Sequence, residues 1–229
     1  MTEGVGVDPN RYLADLERKP EVLGRFADSI DAGDLLAGVP DDVDRVLYLG
    51  MGSSAYAAGV AAARLRSRGI DAIAELASSD LLPPADPRTL VIAISASGGS
   101  VETIAAARPY VGRSPVVAVT NVPESPITVG ATTVVDMRAE PELGGVACRS
   151  FQHTLGVLLA LEHLLAGTDP DLAPTVRKSA VACADLLDRR GDWLPSVADA
   201  LAGPDGTWVA APFRRLSSAQ QAALMFREG

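Results

Sequence analysis

Residues 89–100 read TLVIAISASGGS. The first part, Thr89–Ser95, is almost wholly apolar and rich in aliphatic side chains, and it runs straight into serine and glycine. A short apolar run closed by turn residues reads as a strand buried on both faces. The same pattern stands upstream, where Arg45–Gly50 (RVLYLG) leads into Met51-Gly52-Ser53-Ser54. Further strands are expected at Ala72–Leu76, Pro115–Thr120 and Thr132–Met137. Between them lie helical patterns at Ser53–Arg68, stopped by Gly69, and at Ser100–Tyr110, with a single helical turn at Ser125–Val129. Pro83, Pro84 and Pro87 mark a loop. Strands alternating with helices of this length give a parallel sheet covered by helices on both faces, an α/β three-layer fold with five strands.

The flanks read as helix. Residues 8–32 begin with Asp8 as a cap and Pro9 in the first turn, and Pro20 opens a second helix whose Val22, Leu23, Phe26 and Ile30 share one face. Phe151–Ala166 is a long apolar helix, followed by helix from about 171 to 202, broken near Gly191 and Pro195. A turn at Gly203–Gly206 then leads to an expected strand, Thr207–Ala211, and an expected helix, Ser217–Glu228. One strand and one helix cannot enclose a core. They are either the start of a second lobe or elements that pack on the first. The resulting division is a helical extension at 1–44, a main domain at 45–168, a helical linker at 169–204 and an incomplete second lobe at 205–229.

Composition narrows the function. Of 229 residues 48% are hydrophobic, enough to bury a core. Twenty-nine acidic residues against 20 basic ones give a net charge of −9, which argues against a general binder of nucleic acid or anionic membrane. Cys148 and Cys183 cannot build a disulfide framework, and the first residues, Met1–Val7, carry no signal peptide pattern, so a cytoplasmic location is expected. Leu155–Ala166, interrupted by Glu162 and His163, is too short to span a bilayer. His153 and His163 lack a third ligand at suitable spacing, so no metal and no cofactor are expected. Cys148 beside Arg149 has no neighbouring histidine base and reads as a packing residue.

The chemistry lies in two loops that leave strands and open helices, Gly50–Ser54 and Ser95–Ser100. Their glycines admit close approach, while serine hydroxyls and free amides at a helix start suit anionic oxygens. Neither contains the lysine of a Walker loop or a GxGxxG fingerprint. Hydroxyl-rich cradles without lysine suit a phosphate monoester such as a sugar phosphate. The plainer alternative is ordinary strand-to-helix turns with serine caps.

The stretch ISASGGSVETI resembles the ISxSGxTxDT signature of sugar isomerase (SIS) domains, and GMGSSAYAA resembles their GxGTSxxAA loop. ERKPEVL and AEPELGGVACRSF (Ala139–Phe151) are similar to segments of one branch, which includes the isomerase half of glucosamine-6-phosphate synthase and deaminase- and deglycase-like relatives. The resemblance covers about residues 15–229 and implies a flavodoxin-like strand order. It implies phosphosugar contacts at Gly52, Ser53, Ser54, Ser95, Ser97, Gly98 and Ser100, with Arg149 as a substrate contact in place of the branch's lysine. Gln221–Glu228 (QAALMFRE) stands where the branch has EGALKLKE, which puts the general base on Glu228 and leaves Met225 where a lysine is usual. The ring-opening histidine and a further lysine of the branch have no counterpart up to Gly229, so the chain is expected to bind a hexose phosphate with little turnover.

The implied activity is aldose–ketose isomerisation, or deamination or deglycation of an amino sugar phosphate, without a glutaminase domain. The alternative is a non-catalytic sugar-phosphate sensor, although 1–44 is too short and acidic for a DNA-binding domain. The expected partners are a small sugar phosphate and a second copy of the chain. The long apolar helix at 151–166 motivates the homodimer.

Overall fold

The computed structural model describes residues 8–168, 171–203 and 206–228, with Glu228 described by its backbone. Five strands, β1 (Arg45–Gly50), β2 (Asp71–Leu76), β3 (Thr89–Ile94), β4 (Val116–Thr120) and β5 (Thr133–Asp136), form one sheet in the order β2-β1-β3-β4-β5. Every pairing is parallel. This is the flavodoxin-like order, in which the chain leaves β1 for one side and returns at β3 on the other.

Alternation along the strands feeds two cores. On one face Val46, Tyr48, Leu90, Ile92, Ile94, Val117 and Val119 pack against α2 (Lys19–Asp31), α3 (Gly52–Arg66), α5 (Arg149–Leu165) and α6 (Leu172–Asp188). On the other, Leu47, Leu49, Val91, Ala93 and Ala118 meet the short α4 (Val101–Ala107) and the 3₁₀ turn Arg108–Tyr110. Close packing sets the side-chain sizes. The buried face of α3 is largely alanine, with Ala57, Ala58, Ala61 and Ala62 against the core. At Gly156 of α5 a Cβ would lie 2.4 Å from Cε1 of Phe26, so only glycine lets α2 and α5 approach this far.

The helical extension divides at Arg18 into α1 (Pro9–Glu17) and α2, with Asp8 accepting from the amides of Asn10 and Arg11 at 3.0 and 3.2 Å. Beyond α5, the expected break in the linker falls at Arg189, between α6 and α7 (Arg190–Leu201). Pro195 sits inside α7 rather than ending it. The turn expected at Gly203–Gly206 lies partly outside the described residues. The strand expected at Thr207–Ala211 does not form, and Trp208 within it is 96% exposed. An isolated extended segment has no neighbour to pair its amides and carbonyls. The helix after it, α8 (Leu216–Glu228), packs along α3, so the last described element rests on the first domain.

Candidate functional site

The register of the sheet builds the site. Gly50 at the end of β1 stands opposite Ile94 at the end of β3, so the two serine-rich loops leave the sheet side by side. They do so at the topological switch point, where a crevice opens between neighbouring strand ends.

In the first loop α3 rises at once. A Cβ on Gly50 would sit 2.9 Å from Cβ of Ser54. Gly52 takes φ +50 and is exposed. Met51 offers no side-chain cap, which leaves the start of this fifteen-residue helix open to an anion. Ser53 is half-buried and Ser54 is buried under it.

The second loop is tighter. Gly98 takes φ +66, and a Cβ there would lie 1.7 Å from Oγ of Ser125. Buried Ser95 accepts from the amide of Ser100 at 3.4 Å, and exposed Ser97 accepts from the amide of Gly99 at 3.3 Å. Ser100 caps α4 by accepting from the Thr103 amide at 3.3 Å, and its hydroxyl donates to Glu102 at 3.1 Å. The structure thus gathers Gly52, Ser53, Ser54, Ser95, Ser97, Gly98 and Ser100 at one end of the sheet. The two loops form an open cradle. Clefts of about 460 and 480 Å³ lie elsewhere, beside Arg64 and Arg68 and beneath the 79–85 loop.

Arg149 does not join them. Its side chain is wholly buried at the start of α5 and donates to the carbonyls of Ala139 (2.9 Å), Asp15 (2.8 Å) and Pro141 (2.5 Å), and to the Asp15 carboxylate (3.0 Å). With its donors so engaged it holds α1, the segment after β5 and α5 together, which corrects the expectation of a substrate contact. The catalytic assignment to Glu228 rests on a side chain outside the described residues. Met225, one turn earlier, is half-buried on α8.

Three supporting residues are invisible to motif reading. Asn121, just after β4, donates to the carbonyl of Glu140 and accepts from the amide of Ala139, both at 2.8 Å, while its own amide donates to Ala96 at 3.0 Å. It ties the second loop to the segment after β5, where Arg138 and Glu140 are held at φ +54 and +57. Glu142 accepts from the amides of Cys148, Arg149 and Ser150 at 2.8, 2.6 and 3.3 Å, so a carboxylate already occupies the positive end of α5. Gln221 of α8 donates to the carbonyl of Ala147 at 3.2 Å, while Leu224 lies 4.0 Å from where a Gly52 Cβ would be. The last helix therefore borders the first loop. The only legible signal for these residues was a polar side chain beside a strand end or a helix start.

Burial tunes two further groups. The Cys148 thiol is pushed up to about 12, chiefly by burial, which favours the protonated form at neutral pH. His153 is driven down to about 4, chiefly by burial, against an opposing bond from its Nδ1–H to the Met137 carbonyl at 2.7 Å. His163 bonds Thr168 at 2.7 Å. No group of three or more His, Cys, Asp or Glu able to hold a metal occurs among the described residues. No helix among them is long and apolar enough to cross a membrane.

The family model for the SIS domain matches residues 41–164, more than half of the chain. The chain belongs to the SIS domain family. It is 38% identical over 141 residues to a glutamine–fructose-6-phosphate aminotransferase (isomerizing) of Acidithiobacillus ferridurans, an alignment covering 58% of this chain and 23% of that protein. The chain thus spans about a quarter of the length of this curated relative. Among solved structures, the C-terminal domain of glucosamine-fructose-6-phosphate aminotransferase from Francisella tularensis superposes with a TM-score of 0.73 at 16% identity, covering 95% of this chain and 66% of that one. A glucosamine-6-phosphate deaminase from Thermotoga maritima superposes with a TM-score of 0.61 at 21% identity, covering 72% and 52%. At these identities the structural likeness speaks for the fold.

Proposed function

We propose that this SIS domain binds the phosphate of a sugar phosphate between the loops Gly52–Ser54 and Ser95–Ser100. The observation that carries the reading is the β1–β3 pairing, which sets two serine–glycine loops and the uncapped start of α3 around one point. Amides at a helix start and hydroxyls on two sides suit a dianion without a lysine. Ser53 is half-buried and Ser97 exposed, so both are within reach of a ligand in the cradle. The bond from Ser100 to Glu102 would give way to the stronger phosphate acceptor. The relative's name, which joins fructose 6-phosphate to an isomerizing activity, fits a hexose phosphate as ligand.

The finer reading is aldose–ketose isomerisation, or release of an amine from an amino sugar phosphate, in the cytoplasm and by a homodimer. Here 205–229 serves as the first part of a second lobe and Glu228 as the base. Such a base must come within about 3 Å of the proton it moves. The position of α8 beside the first loop favours this over a sensor, since Leu224, within QAALMFRE, borders Gly52. Calorimetry with fructose 6-phosphate and glucosamine 6-phosphate tests the binding. Ser97→Ala should weaken it by about 0.5–1.5 kcal/mol for a neutral bond, or about 1.5–3 kcal/mol for a bond to the charged phosphate. Unchanged affinity in Ser97→Ala refutes the assignment of that hydroxyl.

A further inference from the structure

The far end of α3 carries a separate concentration of charge. Arg64 and Arg68, one turn apart, both reach Glu162 of α5. Nη2 of Arg64 and Nε of Arg68 lie 3.2 and 2.6 Å from Oε1 of Glu162. The Glu162 side chain is only 3% exposed. Burial pushes its carboxyl up, but the two guanidinium groups outweigh this and hold it below the usual range. One arginine would neutralise this carboxylate, so the second is in excess. A third, Arg214, is exposed in the 3₁₀ turn Phe213–Arg215 and has no carboxylate partner among the described residues. Several other arginines of this acidic chain are matched to acids, as Arg88 is to Asp42 and Asp44, and Arg177 is to Asp28 and Asp31, while Arg66 and Arg227 bond backbone carbonyls.

These three arginines line a cleft of about 460 Å³ together with Ser67 and Phe213. Arg64, Glu162 and Arg214 also line a narrower cavity of about 140 Å³, walled by Val60, Ala61, Leu155, Leu158 and Leu159. A wide mouth with two uncompensated positive charges therefore narrows into an apolar slot between α3 and α5. A structural ion pair accounts for the Glu162 contacts. It accounts neither for the charge excess nor for the apolar continuation.

We infer that this cleft is a second binding site, for a small organic anion whose carboxylate or phosphate head meets Arg64, Arg68 and Arg214 and whose short apolar tail enters the slot. Guanidinium groups match both heads in fork geometry, and the lining resembles that of small-molecule pockets. The site shares no residue with the serine loops. At about 1.5 Å per residue along α3, its arginine mouth lies roughly 18 Å from Gly52, while the slot reaches back toward that loop as far as Ala57.

The test is calorimetry on the full chain with octanoate, octyl phosphate and inorganic phosphate. One of the two tailed anions should bind saturably, at least about tenfold tighter than inorganic phosphate. The preferred head distinguishes a carboxylate from a phosphate ligand. Arg214→Glu, at an exposed position, should weaken binding about tenfold or more, since a charged hydrogen bond is replaced by repulsion. Ser218→Trp, at the exposed rim of the slot, should reduce affinity for the tailed anions while leaving inorganic phosphate unchanged. Affinity for glucosamine 6-phosphate should be the same in both variants as in the parent, which separates this site from the serine loops. No saturable binding of either tailed anion at millimolar concentration overturns the inference. So does equal affinity for inorganic phosphate, or binding unchanged in Arg214→Glu.

Discussion

Lowering the pH from 7.5 to 4.5 should destabilise this protein through a single buried imidazole. His153 is fully buried, and its Nδ1–H must donate to the Met137 carbonyl, because a carbonyl can only accept. Nε2 is then the basic nitrogen, and it is buried with no partner among the described residues. Phe26 lies with its ring centroid 4.5 Å away, so a proton on Nε2 would bring charge to an apolar wall. Burial accordingly drives the group from 6.5 down to about 4. Above the unfolded value both states are neutral and the histidine has no effect on pH dependence. Below it the unfolded chain takes up a proton that the folded chain refuses, so stability falls as pH drops toward 4. At about 1.36 kcal/mol per pH unit, the loss by pH 4.5 is about 2–3 kcal/mol, a large share of the stability of an ordinary domain. Urea unfolding of the parent and of His153→Asn at several pH values measures it. Asparagine keeps a donor for Met137 but cannot titrate. The variant should be less stable at neutral pH, for want of the ring, yet lack this component of the acid slope. The chain has two histidines, so NMR can follow both directly. Parallel acid slopes in parent and variant, or a titration of His153 above pH 6, would refute the reasoning.

Removing the partner of Arg149 should be costly. Asp15→Ala leaves a guanidinium buried without its carboxylate and frees the amides of Leu143 and Gly144, so a loss of about 3–5 kcal/mol is expected from chemical denaturation. Gly98→Ala should cost about 2–4 kcal/mol and abolish sugar phosphate binding, because the added methyl collides with Ser125 at a positive φ; a fully stable variant with parental affinity would contradict the packing of the second loop. The proposed homodimer predicts twice the chain mass in sedimentation at micromolar concentration, and a clean monomer mass counts against it.

The strands were legible because a doubly covered parallel sheet leaves a plain mark in sequence. RVLYLG and TLVIAIS are apolar on both sides, and each ends at the glycine or serine where the chain must turn. The two loops were legible for the same reason, since the sheet order sets their neighbourhood. Arg149 was misread because its partners are far along the chain. Its bond to Asp15 joins residues 134 apart, and a charge beside a motif gives no sign that protein oxygens already surround it. Asn121 and Glu142 escaped notice because they bind backbone amides and carbonyls, which every residue has. The segment Thr207–Ala211 had the composition of a strand, but a strand exists only where a neighbour accepts its hydrogen bonds.

The packing of α2 against α6 also bears on how the chain comes to fold. Arg177 meets Asp28 across 149 residues, and the apolar face of α2, with Leu23, Phe26 and Ala27, has Leu172, Ala173, Val176 and Ala180 of α6 in the same core. Contacts so remote in sequence form late and slow the search. During synthesis at about 5–20 residues per second, on the order of ten to thirty seconds pass between the emergence of α2 and that of α6. Until α5 emerges to meet Phe26, and then α6 to complete the core, the first helices of the nascent chain expose an apolar stripe. A holdase that shields this stripe until α6 emerges would therefore raise the yield of native protein more than one that acts on the finished chain.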